Sequence, residues 1–293
     1  MNPSSPIRRA LLTILCHGRI DPLYERGYVG WGTPGFFSML NSLADEVMVH
    51  AYRGERPSVS WSTFYNETRF IGYGNVSLGS HFKTIACPVS STALAVMPHD
   101  AALRRAVETL HAAPRHTVAS HVVHLLFTAR RGLQTLTGHP PPTQSYALAI
   151  HLRRGDKLRE GRNSEKIAVW DDTMIVEAAA KALQPGQPSR RGASVASGGA
   201  GRRILLASDD NAFAKQVEAA LRRRLGVEVD RPLNEHDAGV TAPFDACDAT
   251  CIPPLQSLMA AFGHSSQLMV SSKSNMGSFM ITYWRVRYDD DPL

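Results

Sequence analysis

No stretch of the 293 residues reaches the roughly 18 consecutive apolar positions that a membrane-spanning helix needs, so no spanning segment is expected. The opening "RRALLTILC" (8–16) lacks a clear small-residue cleavage site and resembles a first core strand as much as a signal sequence; a chain cut free of an N-terminal anchor is a further reading. Cysteine is scarce, with four in the chain. Cys247 and Cys251 form a CxxxC with no second cysteine or histidine pair at zinc-site spacing, which argues against a structural zinc. A short-loop disulfide is expected there, with free buried thiols as the alternative. The acidic stretches "SDD", "HDAGVTAPFDACD" and "YDDDPL" lack the spacing of a calcium loop, and no metal requirement is expected. Although the net charge is +6 and the pI near 9.3, no dense basic run interleaved with aromatics appears. A nucleic-acid binder is therefore a minor reading, one that would show affinity falling steeply with salt.

What the chain does have is an ordinary globular composition, 43% hydrophobic and 20% charged, at a length that suits two modest domains. The proline-rich "GHPPPTQS" (138–145) is the best boundary, because consecutive prolines lack amide donors and stop any helix. Domains of 1–144 and 145–293 follow. In the first, Phe36, Met39, Leu40, Leu43, Val47 and Ala51 recur at helical spacing after a glycine-rich loop. A short strand is expected near Ser58–Trp61, then loops with short strands over 62–90, and helices over 100–112 and 118–136. "NET" at Asn66 and "NVS" at Asn75 are glycosylation sequons, which fit a chain of the secretory pathway.

Beyond the boundary, strands and helices alternate, which implies an α/β fold with a doubly wound parallel sheet. The strand "YALAIHLRR" is apolar without interruption up to its charged end, as suits burial on both faces. Helices are expected over 170–183, after "SDD" up to Gly226, over "LQSLMAAFG", and at the closing "SNMGSFMITYWRV". The Gly-, Ser- and Arg-rich segment 185–203 reads as a flexible surface insertion without chemistry of its own.

Three strand ends in this half carry polar clusters: "HLRRGDK" (151–157), "SDDN" (208–211) and "SSKSN" (271–275). Ligands of open α/β sheets bind beyond the carboxyl ends of the strands, so all three should face one crevice. A guanidinium at a strand tip suits a diphosphate, because its planar fork donates paired hydrogen bonds and keeps its charge at any physiological pH. A salt bridge from Arg153 or Arg154 to Asp156 is the bland alternative. Ser208, Asp209 or Asp210 would cap the following helix, or accept hydrogen bonds from a ribose or base edge, or both. "SSKSN" opens a helix whose free amides form a ready anion site, and it serves equally well as a plain cap.

On these motifs the second half resembles the fucosyltransferases that use GDP-fucose, the α1,6-fucosyltransferase, nodulation fucosyltransferase and protein O-fucosyltransferase superfamily. "HLRRGDK" is close to that group's HxRRxDK strand end, "LLASDD" to its strand with a hydroxyl residue and two aspartates, and "LMVSSKSNMGSFM" to its last strand, serine-rich loop and helix. "GWGTPGFFSMLN" is similar to its first glycine-rich loop, with Gly32 and Gly35 at the substrate side. The resemblance covers about half of the chain. It implies a GT-B fold of two facing Rossmann-type domains, no obligatory metal, and an inverting transfer of fucose to a glycan or glycoprotein hydroxyl in the secretory pathway, such as the Golgi lumen, with a cytoplasmic location as the alternative. It gives Arg153 the diphosphate contact and the essential catalytic role, His151 a contact to the nucleotide, and Ser208, Asp209 and Asp210 the nucleotide pocket. Arg154, Asp156 and Lys157 complete the motif on the substrate side, and Ser272, Ser274 and Asn275 fall where the superfamily places serines against the β-phosphate. Glu160 and Glu165 straddle the position of the general base. The base-recognising aspartate would fall near Leu258 or Met259, where no acid stands, so a different nucleotide sugar, or a catalytically inactive nucleotide- or glycan-binding domain, is the competing expectation.

Overall fold

The structure, a computed structural model, describes residues 5–21, 36–70, 75–87, 99–128, 146–153, 170–184, 203–208, 210–231, 252–263, 265–271 and 274–289. The chain divides into two compact units, Met1–Gly132 with Thr282–Pro292, and Leu133–Ile281 with Leu293. The division is therefore not a single cut: the residues of the last helix from Thr282 onward group with the first unit.

The first unit is mainly helical. It contains α1 (Pro6–His17), β1 (Arg19–Asp21), α2 (Phe36–Tyr52), β2 (Glu55–Pro57), α3 (Trp61–Glu67), β3 (Arg69–Phe70), β4 (Val76–Ser77), α4 (Leu78–His81), α5 (His99–Ala112) and α6 (Arg115–Leu126). The expected first strand over 8–16 is instead α1. Ala10, Leu11, Ile14 and Leu15 are buried, the stripe of a 3.6-residue period, and Pro6 stands in the first turn, where its missing amide costs nothing. The expected strand at Ser58–Trp61 is also corrected. The strand lies earlier, at Glu55–Pro57, and Ser60 caps α3 by accepting from the Thr63 amide at 3.1 Å. The segment after it, expected as loops with short strands, holds the helices α3 and α4 beside two two-residue strands. The helix expected over 118–136 starts earlier, at Arg115, and ends at Leu126.

β1 and β2 pair in parallel, β3 and β4 antiparallel. Around them α1 packs on α5 and α2 on α6. All six apolar positions read from α2, Phe36 through Ala51, are buried; each large one contributes about 1.5–3 kcal/mol. Two buried aromatic side chains donate to backbone carbonyls far away in sequence: Trp61 Nε1 to the Leu15 oxygen at 2.8 Å and Tyr65 Oη to the Leu126 oxygen at 2.8 Å. A disulfide joins Cys16 at the end of α1 to Cys87, 71 residues on. The expected pairing of Cys247 with Cys251 lies outside the described residues, as does the insertion up to residue 202. Asn66 and Asn75 are both exposed, and Asn75 sits in a turn with φ 52°.

The second unit is a mixed α/β layer built on a four-stranded, wholly parallel sheet. Its elements are β5 (Leu148–Leu152), α7 (Asp172–Ala182), β6 (Arg203–Ser208), α8 (Asn211–Leu225), β7 (Glu228–Asp230), α9 (Ile252–Gly263), β8 (Leu268–Val270) and the start of α10 (Asn275–Asp289). The strand order is β7-β6-β5-β8. Counted from β5, this is 3-2-1-4, the first four strands of the Rossmann order. All five residues of β5 are buried, as its apolar run implies. Leu148, Ile150 and Leu152 join Ile175 and Val176 of α7 and Phe213 and Val217 of α8 in one core. α8 stops at Gly226, whose left-handed φ of 62° lets its amide close on the Arg222 oxygen.

Candidate functional site

The sheet order makes neighbours of the three strand tips that carry the polar clusters. β5 lies between β6 and β8, with Leu152 in register with Ser208 and His151 with Val270. The direction of winding reverses between β5 and β8, and that reversal is where an open parallel sheet leaves a crevice beyond its strand ends. One backbone bond ties the two tips together, from the Ser271 amide to the His151 oxygen at 3.2 Å.

Alternation along β5 decides what each tip residue faces. Leu148, Ile150 and Leu152 pack on the α7–α8 side, so His151 between them lies on the opposite face. Its ring is 3% exposed, and among the described residues Nδ1 has no hydrogen-bond partner. Burial, reinforced by the nearby Arg153 guanidinium, pushes the imidazole pKa from 6.5 down to about 3. At physiological pH the ring is neutral and offers one donor and one acceptor nitrogen. Arg153 follows directly at the end of the strand and is half-buried, close enough for its charge to act on His151.

At the next tip Ser208 ends β6, and its Oγ accepts from the Asp210 amide at 3.1 Å. Asp210 is the N-cap of α8, with Oδ1 accepting from the Phe213 amide at 2.9 Å. The capping role expected within "SDD" thus falls to Asp210. A carboxylate with one oxygen committed to a cap keeps its second oxygen for another donor.

The third tip is a tight passage from β8 into α10. Ser274 is buried; its amide donates to the Ser271 oxygen at 3.1 Å and its Oγ accepts from the Gly277 amide at 3.2 Å. That hydroxyl retains its own hydrogen for a further acceptor. Gly277 is required by this path, since a Cβ there would lie 2.0 Å from the Ser271 carbonyl oxygen. Asn275, the first residue of α10, is exposed.

The structure therefore brings His151, Arg153, Ser208, Asp210 and Ser274 with Asn275 to three adjacent strand ends of one sheet. Arg154, Asp156, Lys157, Glu160, Glu165, Asp209, Ser272, Gly32 and Gly35 lie outside the described residues. Leu258 and Met259, where a base-reading acid would fall, are buried apolar residues of α9, at 0% and 2% exposure. Sequence reasoning missed the ion-pair network at the end of β7, where Arg231 bonds Glu218 of α8 and donates to Asn211 Oδ1 at 3.2 Å. Its only local signal was a basic residue straight after a short strand.

Among the described residues one further cluster has metal-ligating character: Asp21, His50 and Glu55 of the first unit, whose ligand atoms lie within 4.8 Å of one another. No helix is long and apolar enough to cross a membrane, among the described residues. No protein-family model matches this chain, and no curated protein does so either.

Proposed function

We propose that this chain is an inverting glycosyltransferase that takes a nucleoside-diphosphate sugar, with GDP-fucose as donor, and transfers the sugar to a glycan or glycoprotein hydroxyl. The observation that carries the reading is the adjacency of the β6, β5 and β8 tips, with Arg153 following the middle one. A donor diphosphate at the β5–β8 reversal would meet one guanidinium, the Ser274 hydroxyl and the amides opening α10, a set of donors suited to a leaving pyrophosphate. The neutral His151 would contact the nucleotide, and Ser208 and Asp210 would take its ribose or base edge. Transfer with inversion forms the new glycosidic bond from the acceptor oxygen as the bond to the diphosphate breaks. The acceptor proton goes to a carboxylate, Glu160 or Glu165, and the electron pair leaves with the nucleotide.

In this reading the charge that develops on the departing diphosphate is met by Arg153 and the α10 terminus, with no metal called upon. The two units correspond to the two domains of a GT-B enzyme, the second holding the donor and the first the acceptor. The Cys16–Cys87 disulfide and the exposed sequons at Asn66 and Asn75 support a secretory-pathway location, where disulfides persist.

A panel of nucleotide sugars, scored for release of free nucleoside diphosphate in the presence of a mixed glycan acceptor, tests the reaction. Turnover of GDP-fucose is expected, with Arg153→Ala lowering the rate on the order of a hundredfold or more while the unfolding midpoint stays put. Parental turnover by Arg153→Ala would refute the assignment. Buried Leu258 and Met259 favour a second reading, a donor with another base. Thermal stabilisation by GDP, UDP and ADP separates the two, since a bound ligand raises the melting point. Donor binding with no turnover, left unchanged by replacement of both Glu160 and Glu165, would instead indicate a domain that binds the donor without catalysing transfer.

A further inference from the structure

The geometry points to a divalent-cation site in the first unit, built by Asp21, His50 and Glu55 and suited to zinc. Its ligands come from three elements, the end of β1, the last turn of α2 and the start of β2, which the parallel β1–β2 pairing holds side by side. Asp21 Oδ2 lies 3.3 Å and Glu55 Oε2 3.1 Å from the same nitrogen, His50 Nδ1. Two donors on a tetrahedral zinc, each about 2.0–2.1 Å from the ion, stand about 3.3–3.4 Å apart. The observed spacings are therefore those of neighbouring corners of one coordination polyhedron.

Three features set this group apart from a surface patch of carboxylates. An imidazole nitrogen is in the set, and a mixed N,O donor group is what a borderline cation such as zinc selects over calcium or magnesium. The His50, Asp21 and Glu55 side chains are 13%, 17% and 22% exposed, so an ion can enter while each ligand is largely held by the fold. Two carboxylates also converge on one nitrogen at nearly equal distances, whereas a single N–H bond has one axis along which to donate. Glu46, one turn before His50 on α2, is half-buried. It stands as a further carboxylate on that side of the helix. Three protein ligands would leave one position for water.

The rival occupant is a proton: an imidazolium shared between two carboxylates. The site belongs to the first unit and does not depend on the glycosyl-transfer reading. The test uses the full, disulfide-intact chain, stripped with a chelator, loaded with zinc chloride and desalted. Metal content is measured by mass spectrometry, and affinity by competition with a chromogenic chelator. One zinc per chain is expected, with a rise in the thermal midpoint on loading. His50→Gln should abolish both, and Asp21→Asn and Glu55→Gln should each weaken binding at least tenfold. Should His50→Gln fail to fold, the two carboxylate variants carry the comparison, each checked for an intact Cys16–Cys87 bond. A stripped chain that takes up no zinc, or variants that take up zinc as the parent does, would overturn the proposal and leave the shared proton as the account of the cluster.

Discussion

The long-range polar bonds of the first unit and the strand-tip bonds of the second differ in kind. In the first, four side chains tie distant segments together: Trp61 and Tyr65 donate to carbonyls 46 and 61 residues away, and Ser120 and His124 of α6 meet the Thr282 and Tyr283 carbonyl oxygens at 2.6 Å each. In the second unit, polar side chains collect at one edge of a parallel sheet, and there their bonds are short-range: Ser208 to Asp210, Asp210 to Phe213, Ser274 to Gly277. The tip oxygens of Ser208, Asp210 and Ser274 accept from backbone amides and keep capacity for another partner, whereas Trp61 N–H and Tyr65 O–H each commit their single proton to a carbonyl. The contrast teaches where side chains keep bonding capacity to spare, and the proposed function places its nucleotide in the second unit.

The sharpest test on the side of the first unit is the disulfide. Closing a 71-residue separation limits the unfolded chain by about 4 kcal/mol in the loop-entropy account. Replacing Cys16 and Cys87 together by serine should lower the denaturant midpoint of the first unit by that order and leave nucleotide binding at the second intact. Equal loss of GDP-induced stabilisation would break the contrast.

The second unit should respond to acid through His151. Its folded pKa of about 3 lies below the unfolded 6.5. Above pH 6.5 both states hold the ring neutral, and it adds no slope. As pH falls below 6.5 the unfolded chain takes the proton while the folded chain refuses it, so stability falls progressively toward pH 3. Urea titrations at about pH 7 and about pH 5 should show that loss in the parent, and a smaller one in His151→Gln. Identical slopes would mean that the ring is solvated in solution.

A smaller effect is expected at Tyr65. Its hydroxyl is buried against the Leu126 carbonyl, and burial raises its pKa well above the ordinary value. Tyr65→Phe leaves that carbonyl short of a donor and should cost about 1–3 kcal/mol. The readout is the unfolding midpoint. A change within about 0.3 kcal/mol, the size of a neutral surface substitution, would show that water replaces the phenol.

Much of the second unit was legible because its signals are local. The apolar run of β5, the glycine stop at Gly226 and the polar tip of each strand follow from residues within a few positions of one another. The order of the strands was not so coded; it emerges only from pairing, and pairing is what makes the three strand tips neighbours. In the first unit α1 was misread because "ALLTIL" is too short for an apolar run to reveal its period, and the proline in its first turn was the signal passed over. The Cys16 partner was hidden by distance, while the close spacing of Cys247 and Cys251 drew the expectation elsewhere. His50, Asp21 and Glu55 are likewise brought together by two three-residue strands whose pairing nothing in their own sequence announces.

The smallest effect discriminates most finely, because it sets two matched residues against each other. Asp171 and Asp210 both cap helices that follow strands of the same sheet, accepting from the amides of Met174 at 2.7 Å and Phe213 at 2.9 Å. Losing either cap to alanine should cost about 1 kcal/mol. Only Asp210 directly follows a tip of the proposed nucleotide crevice, so only Asp210→Ala should also weaken stabilisation by GDP. Asp210→Asn divides its two duties, since asparagine caps as well as aspartate but carries no charge. If the free oxygen of Asp210 accepts from the nucleotide, Asp210→Asn should keep the parental midpoint and lose affinity for GDP. If Asp210→Asn binds GDP as the parent does, that carboxylate is a cap alone, and recognition at this tip falls back on Ser208.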